Sequence, residues 1–323
     1  MRPRPGVLTL SRVALALGIF VVFSIGDPRY ASEGNIFAMT EGFVIVGLAA
    51  LGVAITIIAG EFDLSIPSVA LVAGVIAAQV SSLGLVPAML IAVAAATLFG
   101  FVQGTVIAWL RINSIVFTVG SFIALRGVAH ILTDSSTAVI ADFSMATTLS
   151  QRMVIFSPAS VIALTVFVLV GLFLAYTRYG REIYAIGGGR TEAIAAGIPL
   201  SRPIIVAFTL SAMLAGLTGA LVTLKTGSVN PAIGFNDLLL PSVTAALIGG
   251  VSLLGGRGTA LGIFIGILTI RFIASGLSLQ GAPFHVTSLA IGAVLLAVIV
   301  FDLATESDRV IARWRAWRTT PAS

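Results

Sequence analysis

The sequence of 323 residues contains no cysteine, a single lysine and few charged residues of either sign. Without cysteine there is no disulfide, no thiol nucleophile and no cysteine-ligated metal site. Charged residues make up 10% of the chain, whereas an ordinary soluble domain has about 25%. Lys225 lies in the segment LVTLKTG, which lacks the glycine-rich turn of a nucleotide-phosphate loop. Hydrolysis of ATP by this chain is therefore excluded.

Hydrophobic residues are abundant instead, at 58% of the chain. This excess must face lipid or other buried helices, because a spanning helix needs roughly 20 mostly apolar residues. The sequence therefore predicts an all-α polytopic membrane protein with about ten transmembrane helices. The predicted spans are 11–26, 42–60, 66–83, 85–110, 114–132, 158–177, 203–224, 239–254, 259–277 and 284–302.

The first apolar segment has two interpretations, because it follows the basic start MRPRP and is short. It could be a signal peptide, but the residues after it, SIGDPRY, contain no A-x-A-like cleavage site. A retained helix is favoured. Residues 1–323 then form a single transmembrane domain.

The basic residues predict the orientation. If both termini lie inside, the arginines collect on the cytoplasmic side, which the positive-inside rule requires. Only Arg29, Arg152 and Lys225 fall outside, and Arg126 and Arg271 fall within spans. The cytoplasmic parts are then 1–10, the loop 178–202 and the tail 303–323 of an inner-membrane protein.

If an ion gradient drives transport, the spans should contain ionisable residues, because ion-driven carriers keep ionisable groups inside the membrane. Every acidic residue is predicted at a span edge or in a loop, which disfavours proton coupling. Sodium sites built from carbonyl oxygens would escape this test. If ATP drives transport, a separate subunit must bind it and must grip this chain from the cytoplasm.

The segment GGGRTEAIAAGIPLSRP (187–203) is polar and lies between two apolar stretches. Thr191 can cap a short helix, Glu192 suits its first turn, and Gly197 can end it before Pro199. Such a slender helix could seat in a groove of a partner. The same composition also suits an ordinary inner loop whose arginines serve the topology. The candidate coupling residues are Arg190, Thr191, Glu192, Ala193, Ala196, Gly197 and Ile198.

YAIGGGRTEAIAAGI (184–198) resembles the cytoplasmic coupling motif of ABC importer permeases of the ribose/xylose sugar class. In that family glycine at 189 is usually asparagine and alanine at 196 is commonly serine. Three further blocks are similar to the family in the same order: 57–70, 113–127 and 234–262. The branched-chain amino acid permeases share the general plan.

The resemblance implies two inverted five-helix halves and alternating access, with no bond in the substrate broken. It implies a homodimer or a related second permease, two cytoplasmic ATPase subunits that hold ATP and magnesium, and an external sugar-binding protein. The chain itself would hold no cofactor or metal, would lie in the lipid bilayer and would bind no nucleic acid. The alternatives are a permease for branched-chain amino acids or another small solute, and an ion-coupled carrier.

Three further groups are candidate functional residues. Asp63 or Ser65 can cap the third span, or Asp63 can serve a gate. The second group is Gly255, Gly256 and Arg257, whose glycines favour close helix packing over a phosphate site. On the fifth span hydroxyl groups beside an aromatic ring suit a polyol, although a plain packing face explains them as well. These candidate path residues are Asn113, Thr118, Ser121 and Phe122. Arg271 is predicted to face the bundle or a wet cavity.

Overall fold

The computed structural model describes residues 5–283 and 285–300. The fold is almost entirely helical, with one two-residue strand pair in which Ala138 faces Val229. The helices are α1 Pro5–Gly26, α2 Glu33–Ile58, α3 Ile66–Gln79, α4 Leu85–Leu110, α5 Ser114–Leu132, α6 Ser144–Ser150, α7 Pro158–Tyr176, α8 Arg178–Gly188, α9 Arg190–Ala195, α10 Ser201–Thr226, α11 Leu239–Ile248, α12 Ala260–Leu279 and α13 His285–Val300. A 3-10 turn covers Ser81–Leu83, and the strands are β1 Ala138–Val139 and β2 Ser228–Val229.

Each predicted span overlaps a helix of the described chain, which confirms a helical membrane protein. Within residues 5–283 and 285–300, seven helices are long and apolar enough to cross a membrane: α1, α2, α4, α5, α7, α10 and α12. The other three, α3, α11 and α13, are apolar but cover only 14, 10 and 16 described residues. The count of ten spans and the inverted halves therefore stay predictions. The whole of the predicted tail, 303–323, and residues 1–4 lie outside the described residues.

The core is built around α2 and α10, whose apolar faces are almost wholly buried. Small residues let α10 approach its neighbours closely, as is usual between membrane helices. A Cβ atom on Gly219 would overlap the carbonyl oxygen of Ala70 in α3, and one on Gly216 would overlap Ala96 in α4. The glycines of α10 therefore set the distance of α3 and α4 from the core.

The helices α1, α4 and α5 lie at the periphery and bury few of their residues. Large apolar side chains such as Ile25, Leu98, Val116 and Ile131 are mostly exposed. In water this surface would be unfavourable, whereas in a bilayer it faces lipid or other membrane subunits. Composition and burial therefore agree on a multi-pass membrane protein.

Helix α2 begins at Glu33, nine residues before the predicted start. Glu41 therefore lies inside this helix and not at a loop edge. Its side chain forms an ion pair with Lys225 of α10. The side chain of Ser157, at the start of α7, donates a hydrogen bond to Glu41 as well. The predicted start of this span was therefore wrong, because Ser32 caps α2 and the helix begins well before residue 42.

Candidate coupling segment and its contacts

The polar loop 178–202 folds into two short helices, α8 and α9. Helix α8 is amphipathic: Gly180, Glu182, Ile183 and Ile186 are buried, and Arg178 and Arg181 lie on the exposed face. Helix α9 is exposed along nearly its whole length, and only Ala193 is buried. The side chain of Ile194 is 55% exposed. This helix therefore presents a small, mixed apolar and polar surface that no other part of the described chain covers.

The start of α9 differs from the prediction. Gly189, and not Thr191, occupies the N-cap position, and no side chain caps the helix there. Thr191 falls inside the first turn, because α8 continues to Gly188 and leaves one residue between the two helices. Glu192 does lie in the first turn, where the helix dipole favours a carboxylate. Its side chain folds back over Gly189, where a Cβ atom would overlap it.

The end of α9 is a Schellman motif. The amide of Gly197 donates to the carbonyl of Ile194, and the amide of Ile198 donates to that of Ala193. Gly197 has φ +77°, a left-handed conformation that glycine adopts without strain. The sequence prediction that Gly197 ends this helix is confirmed, and Ala196 is the exposed C-cap residue.

Glycines join α8 to two other segments. A Cβ atom on Gly187 would overlap the carbonyl oxygen of Ile58, at the end of α2, and lie 2.7 Å from the amide nitrogen of Gly256. That amide donates a 2.8 Å hydrogen bond to the same Ile58 carbonyl. Gly255 and Gly256 have φ of +82° and +68°. The backbone of α8 therefore contacts the backbone of the glycine block, the segment around Gly255 and Gly256.

Ion pairs fix the same region. Arg178 donates to Glu182 at 2.8 Å, and Arg202 of α10 donates to both carboxylate oxygens of Glu182. Burial alone would raise the pKa of Glu182, but the hydrogen bonds and charges of the two arginines outweigh it and hold the pKa below its usual range. The guanidinium group of Arg202 also lies over the ring of Tyr179. These contacts tie α8 to the start of α10.

A second ion pair joins α9 to the segment between α2 and α3. Arg190 pairs with Glu61, whose side chain is 9% exposed. Both residues line a cavity of about 510 Å³, together with Phe62, Asn113 and Ser114. The cavity therefore lies between the coupling segment, the 59–65 segment and the start of α5.

Asp63 lies next to this cavity but is fully buried. Its carboxylate accepts hydrogen bonds from the amide and hydroxyl of Ser65 at 3.0 and 2.5 Å. It also accepts from Ser211 of α10 at 2.8 Å and from Gln103 of α4 at 3.4 Å. Ser65 is the N-cap residue of α3, but no side chain caps the helix. The simple capping interpretation of Asp63 is therefore wrong: it joins the start of α3 to α4 and α10.

The candidate path residues of α5 fall into two groups. Asn113 caps α5, since its Oδ1 accepts from the amides of Ile115 and Val116, and it lines the 510 Å³ cavity. Thr118 is fully buried and accepts a 3.1 Å hydrogen bond from the amide of Leu64. It therefore holds the 59–65 segment in this conformation.

Ser121 and Phe122 are half-buried on the same helix. The Phe122 carbonyl accepts a hydrogen bond from Ser68 of α3, and its ring lies under the guanidinium of Arg126. Arg126 also donates to the carbonyls of Pro231, Ala232 and Gly234. These contacts hold a loop on the side opposite α9. The role of Ser121 and Phe122 in a path stays a prediction.

Sequence reasoning missed the partners of two acids. Gln103 and Ser211 were not singled out, although a glutamine within an apolar span was a usable signal. The pairing of Glu61 with Arg190 joins residues 129 positions apart, and nothing local in the sequence indicates it.

Known proteins match most of the chain. Residues 35–299 match the family model described as the permease component of branched-chain amino acid transport systems. The chain belongs to this family. The L-arabinose transport system permease AraH of Escherichia coli (strain K12) is 31% identical, over 88% of this chain and 87% of its own length.

Other relatives of this permease component match over almost their full length. The L-arabinose ABC transporter permease AraH of Azospirillum brasilense is 27% identical, over 95% of this chain and 92% of its own. The autoinducer 2 import system permease LsrD of Escherichia coli (strain SMS-3-5 / SECEC) is 27% identical, over 96% of each chain. No solved structure matches. The resemblance predicted from the sequence motifs is confirmed.

Proposed function

We propose that this permease is the membrane subunit of an ATP-driven importer that carries a sugar or a related polyol by alternating access. Family membership and the named relatives support the transport role and the substrate class. The exposed helix α9, fixed at its base to three other segments, is the observation that carries the coupling role. A branched-chain amino acid or another small solute is the alternative substrate.

The contacts of α9 suggest how motion would pass into the bundle. A cytoplasmic ATPase subunit would seat on the exposed face formed by Thr191, Glu192, Ile194 and Ala196. Displacement of α9 would pull on Glu61 through Arg190, and on the end of α2 through Gly187. The 59–65 segment is bonded to α3, α4, α5 and α10, so these helices would move with it.

The substrate path is proposed along α5 and the 510 Å³ cavity at its start. Asn113 lines this cavity, and Ser121 and Phe122 lie half-buried farther along the helix. Such a path offers few polar groups to a polyol. A weak site is sufficient if an external binding protein selects and delivers the solute.

The proposed assembly has two permeases, identical or related, two ATPase subunits that hold ATP and magnesium, and an external binding protein. The sparsely buried face of α5 leaves room for the second permease. In the proposed orientation the start of α1 and helix α9 face the cytoplasm. The packing supports a common side for the start of α1 and helix α9. Arg12 of α1 lies against Gly250, which follows α11 and precedes the glycine block that contacts α8.

The experiment tests the exposed face of α9 with Ala196→Trp. Ala196 is exposed, so the bulky ring should leave folding intact and obstruct the ATPase subunit. We expect solute uptake driven by ATP in proteoliposomes to be lost, with ATPase binding reduced in pull-down. Ala196→Ser is the matched control, because it keeps the residue small, and it should transport normally.

Two outcomes would contradict the proposal. Normal uptake by Ala196→Trp at normal expression would remove the coupling role of α9. Concentration of solute by the purified chain alone, with an ion gradient and no ATPase subunit, would identify an ion-coupled carrier instead.

A further inference from the structure

Arg271 of α12 carries a charge that the described residues leave unpaired. Its Nε atom is buried without a hydrogen-bond partner, and no carboxylate in 5–283 or 285–300 forms an ion pair with it. Glu41 of α2 already pairs with Lys225 and accepts from Ser157. An arginine within a membrane bundle is costly unless it meets an anion, backbone carbonyls or water.

The guanidinium group has a fitted place. It lies against Gly42 of α2, where any Cβ atom would overlap it. Arg271 is also one of the residues that line a cavity of about 290 Å³, whose walls are mostly aromatic or aliphatic, with Phe20, Phe43, Phe264 and Phe272 among them. The hydroxyls of Thr40 and Ser160 on the same wall already donate to backbone carbonyls. No anion among residues 5–283 and 285–300 therefore meets the guanidinium group, and an anionic ligand in this cavity would supply one.

The cavity lies near one membrane surface. Thr40, two residues before Gly42, donates to the carbonyl of Ile155 in the loop that leads into α7. Glu41 contacts Ser157 at the start of α7 and Lys225 in the last turn of α10. Gly42 and the guanidinium group are therefore level with the ends of two helices, on the side opposite α9. If α7 and α10 end at the membrane surface, lipid headgroups lie at this level.

A second apolar space, called the groove below, lies beside this cavity. It has a volume of about 860 Å³, lies between α7 and α12 and shares Leu164 and Phe264 with the first cavity. Its walls run past Phe167 and Gly171 to Tyr184, near the base of the coupling segment. The two neighbouring spaces therefore place Arg271 beside a long apolar surface.

We propose that Arg271 binds the phosphate of an anionic membrane lipid and that one acyl chain of this lipid fills the groove between α7 and α12. A sugar would leave its hydroxyls unpaired against these apolar walls, which is unfavourable. Water would find few polar partners there. An anionic amphiphile pairs the arginine and buries its tail in apolar surroundings.

The test measures lipid binding to the purified full chain after delipidation. Phosphatidylglycerol and phosphatidylcholine with identical acyl chains are added, and bound lipid is counted by native mass spectrometry. We expect the wild type to prefer phosphatidylglycerol, and Arg271→Gln to bind it about ten- to a hundredfold more weakly, the range of a charge-assisted hydrogen bond. Arg29→Gln, at an arginine whose side chain is 72% exposed, is the control and should bind as the wild type does.

Two further variants guard against misfolding. Arg271→Lys keeps the charge and should retain most of the preference, and Leu268→Trp should fill the cavity and reduce binding of both lipids. Equal binding of the two lipids by the wild type, or unchanged phosphatidylglycerol binding by Arg271→Gln or Leu268→Trp, would overturn the proposal. Binding of oleate but not of phosphatidylglycerol would also overturn it, because the occupant would then be a free fatty acid.

Discussion

Two neighbouring glycines at the end of α8 provide a sharp test of the contact between the coupling segment and the bundle. A methyl group at Gly187 would overlap the carbonyl oxygen of Ile58 and press on the amide of Gly256. A methyl group at Gly188 would lie 3.9 Å from the Cα atom of Gly256, an ordinary van der Waals contact. Gly187→Ala and Gly188→Ala therefore differ only in whether the new atom has room.

The expected size of the effect follows from three contributions. Overpacking of a well-filled contact costs about 1–3 kcal/mol. Loss of the hydrogen bond from Gly256 to Ile58 costs about 1 kcal/mol. Alanine favours the helix over glycine by about 1 kcal/mol. Gly187→Ala should therefore lower the free energy of unfolding by about 1–3 kcal/mol, whereas Gly188→Ala should leave it unchanged or raise it by up to about 1 kcal/mol.

Denaturant unfolding of the purified chain in detergent measures stability, and uptake in proteoliposomes with the ATPase subunits measures coupling. We expect Gly187→Ala to lose uptake as well, because the backbone of α8 must move away from α2 and carry α9 with it. Equal stability and uptake in both variants would refute the proposed role of this glycine contact. A larger defect in Gly188→Ala would show that the packing at the end of α8 is different.

The remaining predictions concern two buried acids. Asp63→Ala should lower the free energy of unfolding by about 2–5 kcal/mol, because the donors of Ser65 and Ser211 lose their acceptor. Asp63→Asn, which keeps one acceptor oxygen, should cost less, and equal losses in chemical unfolding would contradict this network. The lowered pKa of Glu182 means that its contribution is present above the unfolded pKa and is lost as pH falls through the folded pKa. Stability should therefore drop in acid, and Glu182→Gln should flatten that drop in unfolding measured against pH; an unchanged acid profile in this variant would argue against it.

Much of the fold could be predicted because its signals are local. An apolar run such as 85–110 or 114–132 needs no distant partner to be recognised, and both match α4 and α5 to the residue. Gly197 followed by Pro199 marks a helix end in the sequence, and the left-handed φ of Gly197 confirms it. The family could also be predicted, because its motifs keep their order along the chain.

Other expectations failed where a local signal had two interpretations. Thr191 suits a cap by residue type, but α8 runs to Gly188 and moves the start of α9 to Gly189. Glu41 resembled a loop acid, yet the pairing with Lys225 places it inside α2. In both cases a tertiary contact or a neighbouring helix decided where the helix begins. The residues next to Thr191 and Glu41 in the sequence do not indicate that contact or that helix.

The sequence by itself determined that this protein lies in a membrane, which segments are helical, and where its polar coupling segment falls. These properties depend on composition and on short-range patterns. Only the tertiary structure decided that Asp63 meets Ser211, which is 148 positions away, that Gly187 touches Gly256, and that Arg271 lies against Gly42. Such contacts depend on the distance between the helices and on their relative height along the bundle. Both are set jointly by the small residues at all the helix contacts, so no single segment of the sequence reveals them.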